Sequence, residues 1–370
     1  MKSDMVVTYN AVRYLAAALL ATCLAHAANA ASVPTGIYAF SGLDSQLKVA
    51  IYQNPSVTGV TLNSTWSNLE PNQGQFHWTD LDKQVAQATQ AGRQIALSVT
   101  PGAFSPKWLY SAGAAKFGFR WYLSWGFPLC SSASIPLPWD PVYLNAWTSF
   151  IRALAAHYAG NPAVTVIKLT GINAQSAETL LPYTSAGHIV GGSLCGAAPI
   201  APVSAWQAVG YRASKIASAW NTIVAAFAAA FPNQQLMMET GPWGFPPIDA
   251  NGNLIVGSAG DLALGPMLMT AGAQVIGARF ALENNGLSTG WVFPMPAAVP
   301  AGTPMAFQTA WRITGDATCQ VNNFITPCDP ATVTTIALAN ANAASAEMVE
   351  MYVVDILNPV LAGPIATFGN

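Results

Sequence analysis

The sequence predicts an α/β fold made of a single (β/α)8 TIM barrel, and three observations carry that expectation. Eight extended apolar segments recur along the chain, separated mostly by stretches with helical spacing. These segments are rich in Val, Ile and Leu without clean alternation, which fits a sheet covered on both faces. No glycine fingerprint follows the first of them, where SGLDSQ stands, so an open doubly wound sheet ranks second.

In chain order, strands are expected at GIYAF from Gly36, VTGVTLN from Val57, QIALSVT from Gln94 and TVIKLTG from Thr165. The other four are QQLMME from Gln234, QVIGARFAL from Gln274, MAFQTAW from Met305 and EMVEMYVV from Glu347. Between them, LDKQVAQATQAG from Leu81 repeats apolar residues at helical spacing and stops at Gly92, a C-cap residue. AWTSFIRALAAHYAG ends at Gly160 in the same way. The longest helix is expected from Ser204, as N-cap, to Phe231, with Pro232 as the stop. The stretch between the sixth and seventh strands is rich in Pro, Ala and Gly and predicts no helix. Without internal repeats or an interior linker, residues 31–370 read as one domain.

Composition excludes several classes of partner. Charged residues are 8% of the chain and the net charge is -2, with no run of Lys or Arg, so nucleic acid has no electrostatic footprint. Mean hydropathy is +0.35, yet no apolar run beyond the N-terminus reaches the ~18 residues of a membrane span. At the N-terminus, Lys2 and Arg13 flank YLAAALLATCLA, and Ala28-Asn29-Ala30 reads as a small-residue cleavage site. Residues 1–30 are therefore expected to be a secretory signal, with the mature chain secreted or periplasmic. Loss of Cys23 with that segment leaves Cys130, Cys195, Cys319 and Cys328, an even number for an oxidising compartment. Cys319 is expected to pair with Cys328 across a short loop, and Cys130 with Cys195. His77, His157 and His188 are scattered and no CxxC spacing occurs, so no metal or other cofactor is implied.

Carboxylates gather near strand ends, the face where chemistry collects in such barrels. Of six glutamates, Glu178 follows the fourth strand, Glu239 ends the fifth, Glu283 ends the sixth and Glu350 lies in the eighth. Glu70, in LEPNQG, reads as a turn residue, and Glu239 has Arg279 as a competing partner. Glu178 sits in GINAQSAET among small and amide side chains, a setting that raises a carboxyl pKa and suits a general acid. Tryptophan is abundant, with Trp66, Trp108, Trp121, Trp125, Trp243, Trp291 and Trp311 in loops after strands. Indole faces with nearby amides suit a saccharide groove, the amides being Asn63, Asn173, Gln175, Asn284, Asn285 and Gln308. Core filling is the rival account for any single Trp.

From Asn63 to Leu109 the chain carries W-x-x-x-E-P-x-x-G-x-F-x-W on Trp66, Glu70, Pro71, Gly74, Phe76 and Trp78. Leu81-Asp82 follows, and P-x-W-L stands on Pro106, Trp108 and Leu109. This resembles the clan A glycoside hydrolases, particularly the beta-galactosidase-like barrels. The resemblance implies Glu178 as acid/base, although Ala177 precedes it where the family usually has Asn. It also implies a second carboxylate at the end of the seventh strand, where this chain has Gln308. Glu283, Glu239 or Glu350 would then have to supply it.

The expectation is an exported glycoside hydrolase acting on an oligo- or polysaccharide, with Glu178 and Glu283 catalytic. Trp66, Trp108, Asn173, Glu239, Trp243, Asn284, Gln308, Trp311 and Glu350 are the expected substrate contacts. A barrel that binds glycan without cleaving it is the rival. A serine hydrolase is disfavoured, because GGSLC from Gly191 puts Cys195 where the G-x-S-x-G elbow needs glycine.

Overall fold

Eight parallel strands close into a barrel in the computed structural model, which describes residues 33–122, 128–185, 188–189, 195, 199–240, 244–290 and 299–369. They are β1 (Gly36–Phe40), β2 (Gly59–Thr65), β3 (Gln94–Thr100), β4 (Val164–Leu169), β5 (Gln235–Thr240), β6 (Phe280–Leu287), β7 (Met305–Thr309) and β8 (Met348–Tyr352). Each pairs with its chain neighbours in the barrel, and β1 closes on β8 from Gly36↔Met348 to Phe40↔Tyr352. The (β/α)8 expectation holds.

Strand alternation layers the interior. Tyr38, Ala96, Val166, Met237, Ala281, Ala306 and Met348 form a buried apolar layer inside the barrel. Side chains two residues apart share a face. β4 to β8 each send their next inward residue up toward the C-terminal mouth, and those five are polar: Lys168, Glu239, Glu283, Gln308 and Glu350. One apolar layer below and one polar layer above is the arrangement that places the site.

Helices cover the outer face. α1 spans Thr79–Gln90 and α2 spans Pro141–Tyr158. α2 begins where Asp140 accepts the N–H groups of Val142 and Tyr143, with Pro141 in the first turn. It reaches β4 through Trp147, whose Nε1 donates to the Thr170 carbonyl at 3.1 Å. α3 (Val203–Ala208), α4 (Ala213–Ala230), α5 (Leu264–Ile276) and α6 (Pro330–Ala343) complete the ring. Asp329 caps α6 by accepting from Thr332 N–H. Trp220 on α4 donates to the Leu268 carbonyl of α5 at 2.8 Å. Buried indoles with a satisfied N–H thus lock helices to their neighbours.

Two boundaries differ from expectation. The helix expected over 204–231 is two helices, broken at Gly210, whose φ of 73° lies in the left-handed region. Trp206 explains the break: its ring stacks on Phe117 at 3.5 Å and its N–H meets the Pro182 carbonyl, so α3 is held away from the line of α4. The sixth strand, expected from Gln274, begins at Phe280, because α5 runs to Ile276 and ends at Gly277 with φ 68°. Apolar residues alone do not distinguish that helix end from a buried strand. Between β6 and β7 there is no helix among the described residues, as the composition implies.

Both disulfides form as expected, Cys130 with Cys195 and Cys319 with Cys328. The first, across 65 residues, ties the hairpin Lys116–Arg120/Ser132–Pro136 after β3 to the long loop after β4. Its removal by Cys130→Ser with Cys195→Ser is expected to cost about 2–4 kcal/mol in denaturant unfolding. A change below about 0.5 kcal/mol would mean the loop is ordered without it.

No helix among the described residues is long and apolar enough to cross a membrane. The expected signal sequence at 1–30 lies outside the described residues.

Candidate active site

The loop that follows β4 is pinned before it reaches Glu178. Asn173 accepts from Gly171 N–H at 3.0 Å and donates to the Ser176 carbonyl at 2.8 Å, folding the segment back on itself. Thr179 N–H then donates to the Glu239 carbonyl at 2.9 Å, which joins this loop to the end of β5. Asn173 is a buried brace of this loop and does not line the cleft described next.

Above the polar layer lies a cleft of about 600 Å³ at the C-terminal mouth. Glu178, Glu239, Gln308, Trp311 and Glu350 all line it, as do Asn285, Arg312, Tyr352 and Phe40. Glu178 is partly exposed to the cleft yet densely surrounded by protein. Burial pushes its carboxyl up to about 7, and the negative charge of Glu239 adds to the rise. The Ser176 hydroxyl, donating to Oε2 at 2.9 Å, opposes it. Burial and the Glu178 charge also raise the phenols of Tyr122 and Tyr352.

The centre of the polar layer is one lysine. Lys168 Nζ lies 2.9 Å from Glu239 Oε1 and 2.8 Å from Glu350 Oε1, and also bonds Glu283 Oε2. All four side chains are nearly or fully buried. Burial alone would lower the lysine pKa, but the three carboxylates hold it well above its ordinary value. Glu283 is driven well above the usual carboxylate range by burial and by the charge of Glu350, against the pull of Lys168. Asn285 Nδ2 holds the other oxygen of Glu239 at 3.1 Å, and Thr61 donates to Glu350. Glu239 is thus fixed at both oxygens while facing the cleft.

Several expected contacts stand elsewhere. Glu283 does not line the cleft; it is fully buried beneath it, against Lys168. Glu239 pairs with Lys168 instead of Arg279, whose guanidinium donates to the carbonyls of Ala228, Phe231 and Gln234. Trp66 is a fully buried core residue, packed at 5.1 Å on Trp147 and donating to Glu70 Oε2. Trp108 packs on Trp66 at 5.7 Å and donates to the Glu70 carbonyl. Asn284 is buried and bonds Thr240 and Gly286, since it faces outward one residue from Asn285. Trp121 is core as well, while Trp125, Trp243 and Trp291 lie outside the described residues. Glu70 is structural, as its turn suggested: Gly74 N–H and the Trp66 indole satisfy its two oxygens.

Lys168 went unread as a site residue, although TVIKLT carries a signal. A lysine inside an apolar strand that is covered on both faces has nowhere to put its charge except beside an acid.

A family model described as Beta-galactosidase, Glyco_hydro_42, matches residues 44–171. The chain is similar to the clan A glycoside hydrolases. The beta-galactosidase-like stretch covers about a third of the sequence, from before β2 to just past β4. No curated protein matches in sequence. In fold, the chain is similar to the catalytic domain of beta-amylase from Paenibacillus polymyxa, at 12% identity and a TM-score of 0.56, covering 90% of this chain and 95% of that one. Beta-galactosidase from the psychrophilic Marinomonas ef1 gives 14% identity and a TM-score of 0.53 over 90% of this chain and 58% of its own. The cold-adapted beta-galactosidase from Rahnella sp. R3 gives 12% and 0.51 over 87% and 51%. This chain therefore spans little more than half the length of either beta-galactosidase. At such identities the shared property is the barrel.

Proposed function

We propose that this chain is a glycoside hydrolase in which Glu178 protonates the departing sugar oxygen and Glu239 is the partner carboxylate. One observation supports the pairing above the rest. Glu178 and Glu239 face the same cleft from adjoining loop and strand ends, in electrostatic reach of each other. Their surroundings separate their roles. Glu178 keeps its proton up to about pH 7, as a general acid must. Glu239 is held at both oxygens by the Lys168 ammonium and the Asn285 amide, which fix its orientation toward the cleft. That carboxylate can attack the anomeric carbon or activate water, according to the spacing of the two groups.

Trp311, Tyr352 and Phe40 supply the apolar wall against which a sugar face packs, and Gln308 and Asn285 supply amides. The family resemblance and the barrel support a glycan as substrate. Export fits the two disulfides, which persist outside reducing compartments, and a leader removed near Ala30 belongs to this reading.

A comparison of Glu239→Gln with Glu283→Gln tests the pairing. On a panel of oligosaccharides assayed by released reducing ends, Glu239→Gln is expected to lose on the order of 10²–10⁴-fold in kcat. Glu283→Gln should lose far less. The reverse order would move the role to Glu283.

Gln308 favours a second reading, a barrel that binds glycan without cleaving it. It lines the cleft from β7, where the resemblance expects a glutamate, and an amide supplies no nucleophile. Tight oligosaccharide binding with no bond cleavage after prolonged incubation would decide for this reading.

A further inference from the structure

We infer that the cleft takes a glycan bearing an anionic group, a carboxylate or a sulfate ester, and that Arg312 is the residue that recognises it. The inference rests on the reading of the cleft as a glycan site. Arg312 lies just beyond β7, is exposed and lines the cleft. Ion pairs among the described residues engage only His157 and Lys168 as cations, and no described residue hydrogen-bonds the Arg312 side chain. Asp355, the acid whose charge it feels, has its two oxygens on the N–H groups of Ile313 and Thr314.

Three other cations of this charge-poor chain are committed to the fold. Arg93 donates to the carbonyls of Tyr52, Asn54 and Val57, Arg279 bridges three carbonyls, and Lys168 is enclosed by glutamates. Among the described residues that line the cleft, Arg312 alone is basic.

Its neighbours complete the chemistry. Trp311 and Tyr352 lie with ring centroids 6.4 Å apart, and Tyr352 lies 4.3 Å from Phe40, so an aromatic wall forms in the cleft that Arg312 also lines. A pyranose packed on such a wall presents its ring substituents at its edge. A guanidinium fork there meets a planar carboxylate with two parallel hydrogen bonds, or a sulfate through its oxygens. Lys168 offsets part of the acidic charge beneath the cleft, because it pairs with both Glu239 and Glu350.

The test is equilibrium binding to a chain carrying Glu178→Gln, which separates recognition from turnover. Three oligosaccharide ligands of equal length are compared: neutral, uronate-bearing and sulfated. At low salt at least one acidic ligand is expected to bind about tenfold tighter than the neutral one. Adding Arg312→Gln should abolish the preference, and Arg312→Lys should favour sulfate over carboxylate. Preference for the uronate or for the sulfate identifies which anion is read. Equal binding of all three ligands, or a preference that survives Arg312→Gln, overturns the inference. Hydrolysis of neutral glycans without acidic preference would remove Arg312's role and leave the glycosidase reading standing. Selective acidic binding without hydrolysis would do the opposite.

Discussion

Glu178→Gln is expected to lower kcat by on the order of 10²–10⁴-fold and also to stabilise the fold above neutrality. Both effects come from one property, the raised carboxyl. In the folded chain its pKa is about 7 against an ordinary value of 4.5. Its folded-state pKa lies above the unfolded one, so the native state binds the proton more tightly. That favours folding fully below about pH 4.5, and the contribution is lost as pH rises through 7. Glutamine never ionises. Near pH 8 the variant should therefore be more stable than the parent, by up to about 3 kcal/mol, with little difference near pH 4. Urea unfolding at the two pH values reads this directly. The parent's rate should fall on the alkaline side of about pH 7, and any residual activity in the variant should lack that limb. Unchanged turnover in Glu178→Gln would place the acid elsewhere.

The second large effect is expected at Lys168. Lys168→Met leaves Glu239, Glu283 and Glu350 buried around a methyl-capped thioether with no cation. Breaking a buried ion pair from one side costs about 3–5 kcal/mol, mostly from the charge left behind. The loss should shrink on acidification, because Glu283, whose carboxyl burial already pushes well above the usual range, sheds its charge readily. Pairing Lys168→Met with Glu283→Leu removes the most deeply buried of the three carboxyls along with the cation and should recover part of the stability. Denaturant unfolding of the parent and both variants at pH 5 and pH 8 reads these differences. Equal stability of Lys168→Met and parent at pH 8 would mean that water or another group already neutralises the cage.

The barrel was legible because its evidence is distributed. Eight segments with the same character and order outweigh any error at one boundary, and the misplacement of β6 by a few residues did not disturb the topology. The same logic placed Glu178, Glu239, Gln308 and Glu350 at one mouth. Depth along a strand was harder. Glu283 and Glu239 are register partners on adjacent strands, yet one faces the cleft and the other lies under it. A barrel's tilt and curvature decide such differences, and residue order does not encode them locally. The indoles misled for a related reason. Trp66 and Trp108 follow strands, but the loops that carry them fold back onto α2 and Glu70.

Glu70 has a wider consequence. Its side chain holds the Trp66 indole and Gly74 N–H, while its carbonyl receives the Trp108 indole, so it clasps two βα connections together. The clasp lies within the stretch that the beta-galactosidase family model matches, and that stretch ends before Glu178 is reached. The family likeness and the candidate acid therefore lie in separable parts of the polypeptide. Residues from 176 onward can change while the clasp stays intact.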